Sequence, residues 1–287
     1  NVCLEVYLPS RGTCLLEHCH ISAGEISDVP KSFVEGMRSL CDLHSKTGVD
    51  GSGEYLPPEE DKQVGLGLIG LANLLANNGV TYKELATELS ALTFGGSTAD
   101  TNAGKIAKAL DDGIKAAAEI AREHGMERAF CIAPTASCSY EYKDVNGYTT
   151  APEVAPPINR HVDRDSGTRG VQSYDYGPNV ETAAEVGWET YKRFTDALVR
   201  LYEKTGLFHG YSFNTWSDLV TYDDPFIERW LHSPQTSMYY ALQVRPDTLR
   251  KDDATADLDE GYENIFNEVL EEQLGEQANN ECTSCAE

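Results

Sequence analysis

No stretch of this 287-residue chain stays apolar for the roughly 18 residues that cross a bilayer, so no membrane partner is expected. Its opening, NVCLEVYLPSRG, lacks the basic region and long apolar stretch of a secretory signal, and a cytoplasmic protein is expected. Basic residues are scarce: 23 Lys and Arg stand against 47 Asp and Glu, a formal net charge of −24. Such a field repels phosphate backbones and no basic stripe relieves it, which argues against a nucleic-acid partner. A nucleotide diphosphate would have to be held locally, by backbone N–H groups. Part of the acidic excess lies between Asp252 and Glu287, as in a solvated tail. Internal repeats are also lacking.

Hydrophobic residues at 40% and charged ones at 24% are ordinary for a globular protein of one large domain or two small ones. Eight cysteines occur, at positions 3, 14, 19, 41, 131, 138, 282 and 285. A cytosolic chain of this size needs no disulfide framework, which leaves metal binding, redox chemistry and burial as their competing uses.

Spacing of apolar residues predicts an α/β mixture. Asn1 to Pro9 suits a strand or extended loop. Helices are expected from Pro30, over Leu66 to Asn78, Lys83 to Leu92, Asp100 to His124 and Glu181 to Thr205. Ala129 to Ala133 and Thr236 to Val244 read as buried strands. Val145 to Gly177 reads as a connector, and Asp259 to Leu274 as a helix in the acidic segment.

Four motifs invite chemistry. Gly65, Gly67 and Gly70 in GLGLIG match the dinucleotide pattern, but the polar PPEEDKQV precedes them where a strand is required, so close helix packing is the better use. Cys14, His18, Cys19 and His20 offer zinc ligands without a second pair at finger spacing. Cys14 and His18 would share a helical face, and buried thiols beside surface histidines are favoured. Cys282 and Cys285 form a C-x-x-C in a polar terminus, which suits a dithiol shuttle between a buried site and an external reductant. Tyr239 and Tyr240 in a strand would point to opposite faces.

Taken in order, these pieces carry a resemblance. Asn1, Cys3 and Glu5 form N-x-C-x-E; Cys14, GLGLIGLANLLA, APTAS (Ala133 to Ser137), the Tyr-Tyr strand and the terminal cysteine pair follow. That succession resembles the C-terminal part of ribonucleotide reductase large subunits, over essentially the whole chain. The resemblance implies the C-terminal half of a ten-stranded α/β barrel over residues 1–250, with a finger loop at 1–10. A flexible redox tail at 251–287 would follow.

The same resemblance implies roles. Cys3 would carry the thiyl radical that takes the ribose 3′ hydrogen, Glu5 would be general base to the 3′ hydroxyl, and Asn1 would hydrogen-bond the sugar. Cys14 would reduce the 2′ position with a cysteine on an early strand that this chain does not contain. Cys282 and Cys285 would re-reduce that pair and be renewed by thioredoxin or glutaredoxin. Pro134, Thr135, Ala136 and Ser137 would hold the substrate diphosphate. Ala136 departs from members with a carboxylate there, and Cys138 replaces a small hydroxyl or apolar residue. Tyr239 and Tyr240 would relay a radical from a metal-containing small subunit; cobalamin-dependent members, which use adenosylcobalamin instead, carry similar tyrosines.

No cofactor or metal bound by this chain itself is expected. Partners would be the N-terminal part of the large subunit, the small subunit and the nucleotide. A split enzyme, inactive alone, is the reading. Its rivals are a non-catalytic docking or regulatory fragment and a small zinc protein using Cys14, Cys19 and the tail cysteines.

Overall fold

A computed structural model describes residues 3, 5–165, 170–216, 223–232 and 237–242. Five strands, β1 (Leu16–His20), β2 (Gln63–Ile69), β3 (Arg128–Ile132), β6 (Phe208–Trp216) and β7 (Ser237–Leu242), form one sheet in that spatial order. Every neighbouring pair is parallel. Sequence order and spatial order coincide, so the sheet never reverses its winding, unlike a doubly wound fold. Strands β4 (His161–Asp165) and β5 (Val171–Asp175) make a separate antiparallel hairpin.

The connections are helical, as parallel pairing requires. Between β1 and β2 runs α1 (Val29–His44), opened by a proline in its first turn and burying Phe33, Met37, Leu40, Cys41 and His44 on one stripe. Helices α2 (Leu71–Asn77), α3 (Tyr82–Thr93) and α4 (Asn102–Glu123) join β2 to β3. Thr81 and Glu84 close a capping box on α3, and the Thr101 hydroxyl accepts from the Gly104 amide on α4. Gly113 lets α1 press on α4: a Cβ there would lie 2.9 Å from the Phe33 ring. After β3 come the single turn α5 (Ala136–Ser139), the hairpin, α6 (Ala183–Val186) and α7 (Trp188–Lys204); α8 (Asp224–Leu231) links β6 to β7.

Helix burial defines one face of the sheet. Cys19, Val64, Leu66, Leu68, Phe130, Ile132 and Tyr211 enter the large core with the helices. A second, small cluster of Val6, Cys131 and Ala133, flanked by Leu8 and Leu16, lies on the other face. All of β2 is buried because both faces are covered.

Several expectations change here. The expected helix over Leu66 to Asn78 is strand β2 followed by α2, joined at Gly70, whose φ of +82° suits glycine. With both faces buried, QVGLGLI shows no alternation, and periodicity alone does not separate such a run from a helix. Gly65 and Gly67 therefore sit inside a strand, serving close cross-strand approach instead of helix packing. His18 lies in strand β1 and Cys14 in the irregular segment before it, so they share no helical face. The connector at 145–177 contains a hairpin, β6 and α8 were not foreseen, and Gly187 at φ +72° divides the expected helix from Glu181 into α6 and α7. No described helix is long and apolar enough to cross a membrane.

Candidate functional site

The face of the sheet turned away from the helices is where the chemistry-bearing residues gather. Along β1, side chains alternate, so Leu16, His18 and His20 face this side while Cys19 enters the core. On β2 the same side presents only glycine at 65 and 67. A Cβ on Gly65 would lie 2.6 Å from Leu16 Cδ2 and 2.8 Å from Cys131 Sγ, and one on Gly67 would lie 2.7 Å from the His18 ring. Missing side chains there let β1 and β3 residues lean over β2.

Across this face lies the loop that carries Cys3. Cys3 is half-buried on a turn, and Glu5 and Val6 follow in a bend, instead of the extended path expected for them. Glu5 is only 2% exposed. Its seat is Gly210 on β6: a Cβ there would collide outright with the Glu5 carbonyl oxygen. Gly210 pairs with Cys131, which stands beside Gly65, so β1, β2, β3 and β6 all contribute to the floor.

Cys131 is the residue of this floor that the sequence concealed, since AFCIA reads as plain buried strand. Burial pushes its thiol well above the usual range, and the nearby Glu5 carboxylate and Cys14 push it further the same way. A neutral, buried thiol thus lies within electrostatic reach of two groups singled out from sequence. Cys14 itself is exposed, just before β1.

Pro134 to Ser137 follow the C-terminal end of β3, where parallel sheets bind ligands. Thr135 is buried, and its Oγ1 accepts from the Glu153 amide at 2.7 Å. Glu153 has φ +55°, a left-handed conformation that costs a non-glycine residue about 1–2 kcal/mol. The segment around it ties three strand ends together. Thr150 Oγ1 lies 2.9 Å from His20 Nε2, the Ala151 carbonyl accepts from Gly70, and the Ala151 amide donates to Asn73 Oδ1 at 2.7 Å. Ala136 and Ser137 open α5, with Ser137 exposed. Cys138 Sγ donates to the Thr135 carbonyl.

Scanned against known families, the sequence matches no family model, and no curated protein matches it. Functional reading therefore rests on the residues themselves.

Cys3, Glu5, Cys14 and the Pro134 to Ser137 loop all belong to described parts of the chain, and Glu5 and Cys14 both act electrostatically on Cys131. Tyr239 and Tyr240 lie on β7, at one edge of the sheet, with Tyr240 opposite Asn214. Asn1, Cys282 and Cys285 lie outside the described residues. Among the described residues, no three His, Cys, Asp or Glu side chains are grouped to hold a metal ion.

Two histidines on these strands carry a pH signature. Burial lowers His18 to about 4, and burial with the Arg128 guanidinium lowers His209 to about 4. Unfolded imidazoles titrate near 6.5. Between those values the unfolded chain binds more protons than the native one, so stability is full above about 6.5 and falls as pH drops toward 4. Each histidine should cost about 1.4 kcal/mol per pH unit in that window. Urea midpoints at pH 7 and pH 5 check this; equal midpoints would contradict neutral burial.

Proposed function

We propose that this chain is the C-terminal half of a ribonucleotide reductase catalytic barrel and reduces ribonucleotides once its N-terminal half is supplied. The observation that carries the reading is the Cys3–Glu5 loop lying on the face that the described helices leave uncovered, on a parallel sheet wound in a single direction. A five-stranded sheet of that kind, with helices on one side and a loop on the other, suits half of a closed barrel. Its outer strands β1 and β7 each have one strand neighbour among the described residues, and such edges call for pairing or cover.

In this reading the Cys3 thiyl radical takes the 3′ hydrogen of the ribose, becoming a thiol. Glu5 accepts the 3′ hydroxyl proton. The 2′ hydroxyl departs as water with a proton from the redox pair. Cys14 and its partner on the other half deliver their second hydrogen to C2′, have then given two electrons and end as a disulfide; Glu5 returns its proton to the 3′ oxygen, and Cys3 returns its hydrogen to C3′ and is again a thiyl radical. Glu5 is well placed to act in a water-poor site, since it is buried beside the neutral Cys131. The diphosphate would meet the Pro134 to Ser137 turn, where N–H groups serve an anion without a basic residue. The tail thiols Cys282 and Cys285 would renew the Cys14 pair.

The test is reduction of cytidine or adenosine diphosphate by this chain alone, then with the N-terminal part, a radical-generating small subunit and thioredoxin. Only the full mixture should turn over, and Cys3→Ala should bring it to background. Turnover by this chain alone would refute the need for an N-terminal half, and turnover surviving Cys3→Ala would refute the radical assignment. Replacing the small subunit by adenosylcobalamin distinguishes the two radical sources.

A further inference from the structure

Ser212 is a buried hydroxyl with no task in the scheme above. It lies on β6, 2% exposed, and among the described residues its Oγ has no hydrogen-bond partner. Buried polar atoms are nearly always paired, because leaving one unmade costs more than the bond contributes. A hydroxyl kept in that state is a site waiting for a partner.

Its position indicates which partner. Ser212 shares the face of Gly210, the seat of Glu5, since the two are separated by one alternation of the strand. Tyr211 between them points the other way, into the core against Tyr191. The ladder with β3 ends on the Ile132–Tyr211 pair, and one residue further along each strand come Ala133, which leads into Pro134 to Ser137, and Ser212. The hydroxyl thus lies between Glu5 and the turn assigned to the diphosphate. Ala133 and Val6 pack together on the same face and bring loop and turn close.

We infer that the Ser212 hydroxyl binds the nucleotide between its reacting ribose and its diphosphate, donating to a 5′ ester or α-phosphate oxygen. The inference rests on the reductase reading. A serine suits the place: it donates without adding charge, and its short side chain leaves room over Gly210.

The active mixture provides the test. Ser212→Ala should raise KM for cytidine diphosphate about tenfold and leave kcat nearly unchanged, and Ser212→Thr should restore most of the loss. A second readout is independent of turnover. Without nucleotide, the alanine variant should melt no lower than the parent, because it removes an unpaired polar atom; with nucleotide, it should gain less in melting temperature. An unchanged KM would overturn the inference. A fall in kcat with KM unchanged and a displaced pH profile would overturn it too, marking Ser212 as support for Glu5. A parent mixture that reduces no nucleotide would instead overturn the reductase reading itself, before any variant is made.

Discussion

Replacing Gly210 by alanine is expected to lower nucleotide reduction by the reconstituted mixture about a hundredfold while the chain stays folded. The reason is local. A methyl group at 210 occupies the space of the Glu5 carbonyl oxygen, and β6 is held in place by β3 on one side and β7 on the other. The loop is the softer member, so the loop moves. In the proposed reaction, displacement of the Cys3–Glu5 backbone by about an ångström would separate base and radical from a substrate held by the turn after β3. Circular dichroism should be unchanged, and the melting temperature should shift by a few degrees at most. Full activity of Gly210→Ala would show that the seating of this loop on β6 has no bearing on turnover.

The largest effect on stability should come from Asn73→Ala. Asn73 is fully buried in α2, and its side chain serves four partners. Nδ2 lies 3.0 Å from the Thr149 carbonyl and 3.4 Å from both the Tyr176 carbonyl and Asp144 Oδ2, while Oδ1 accepts from the Ala151 amide at 2.7 Å. Alanine leaves those groups buried and unmet. The loss should be about 3–5 kcal/mol, equivalent to roughly 10 °C in melting temperature for a domain of this size. Because the same segment reaches Thr135 through Glu153, nucleotide affinity should fall alongside stability. A melting curve within a degree of the parent would show that water replaces the amide at little cost.

Much of the framework was legible because local pattern and burial agree. Helices α1, α3 and α4 bury one stripe each, and Thr81 and Thr101 mark where two of them begin. Strand β3 is a short apolar run with Pro134 after it, so its end is legible, while the helical turn α5 beyond it carries no pattern of its own. Strand β2 was misread because burial on both faces erases the period of two. Strand β6 was missed for the opposite reason. FHGYSFNTW mixes large and small, polar and apolar, because Tyr211 fills the core while Gly210 and Ser212 stand beneath a loop. Cys131, Gly210 and Ser212 matter through their cross-strand neighbours, and those neighbours lie far away in the sequence. No local signal announces such a meeting.

The strict match between chain order and strand order also sets a timetable. Each strand emerges beside the one already made, so the sheet can grow outward from β1 without any segment waiting for a distant mate. The Cys3 loop is the exception. It precedes every strand of the sheet in the sequence, yet its seat at Gly210 exists only once β6 has followed and docked on β3. The loop is therefore seated late, and the sheet stands well before the Cys3 loop has its place on it.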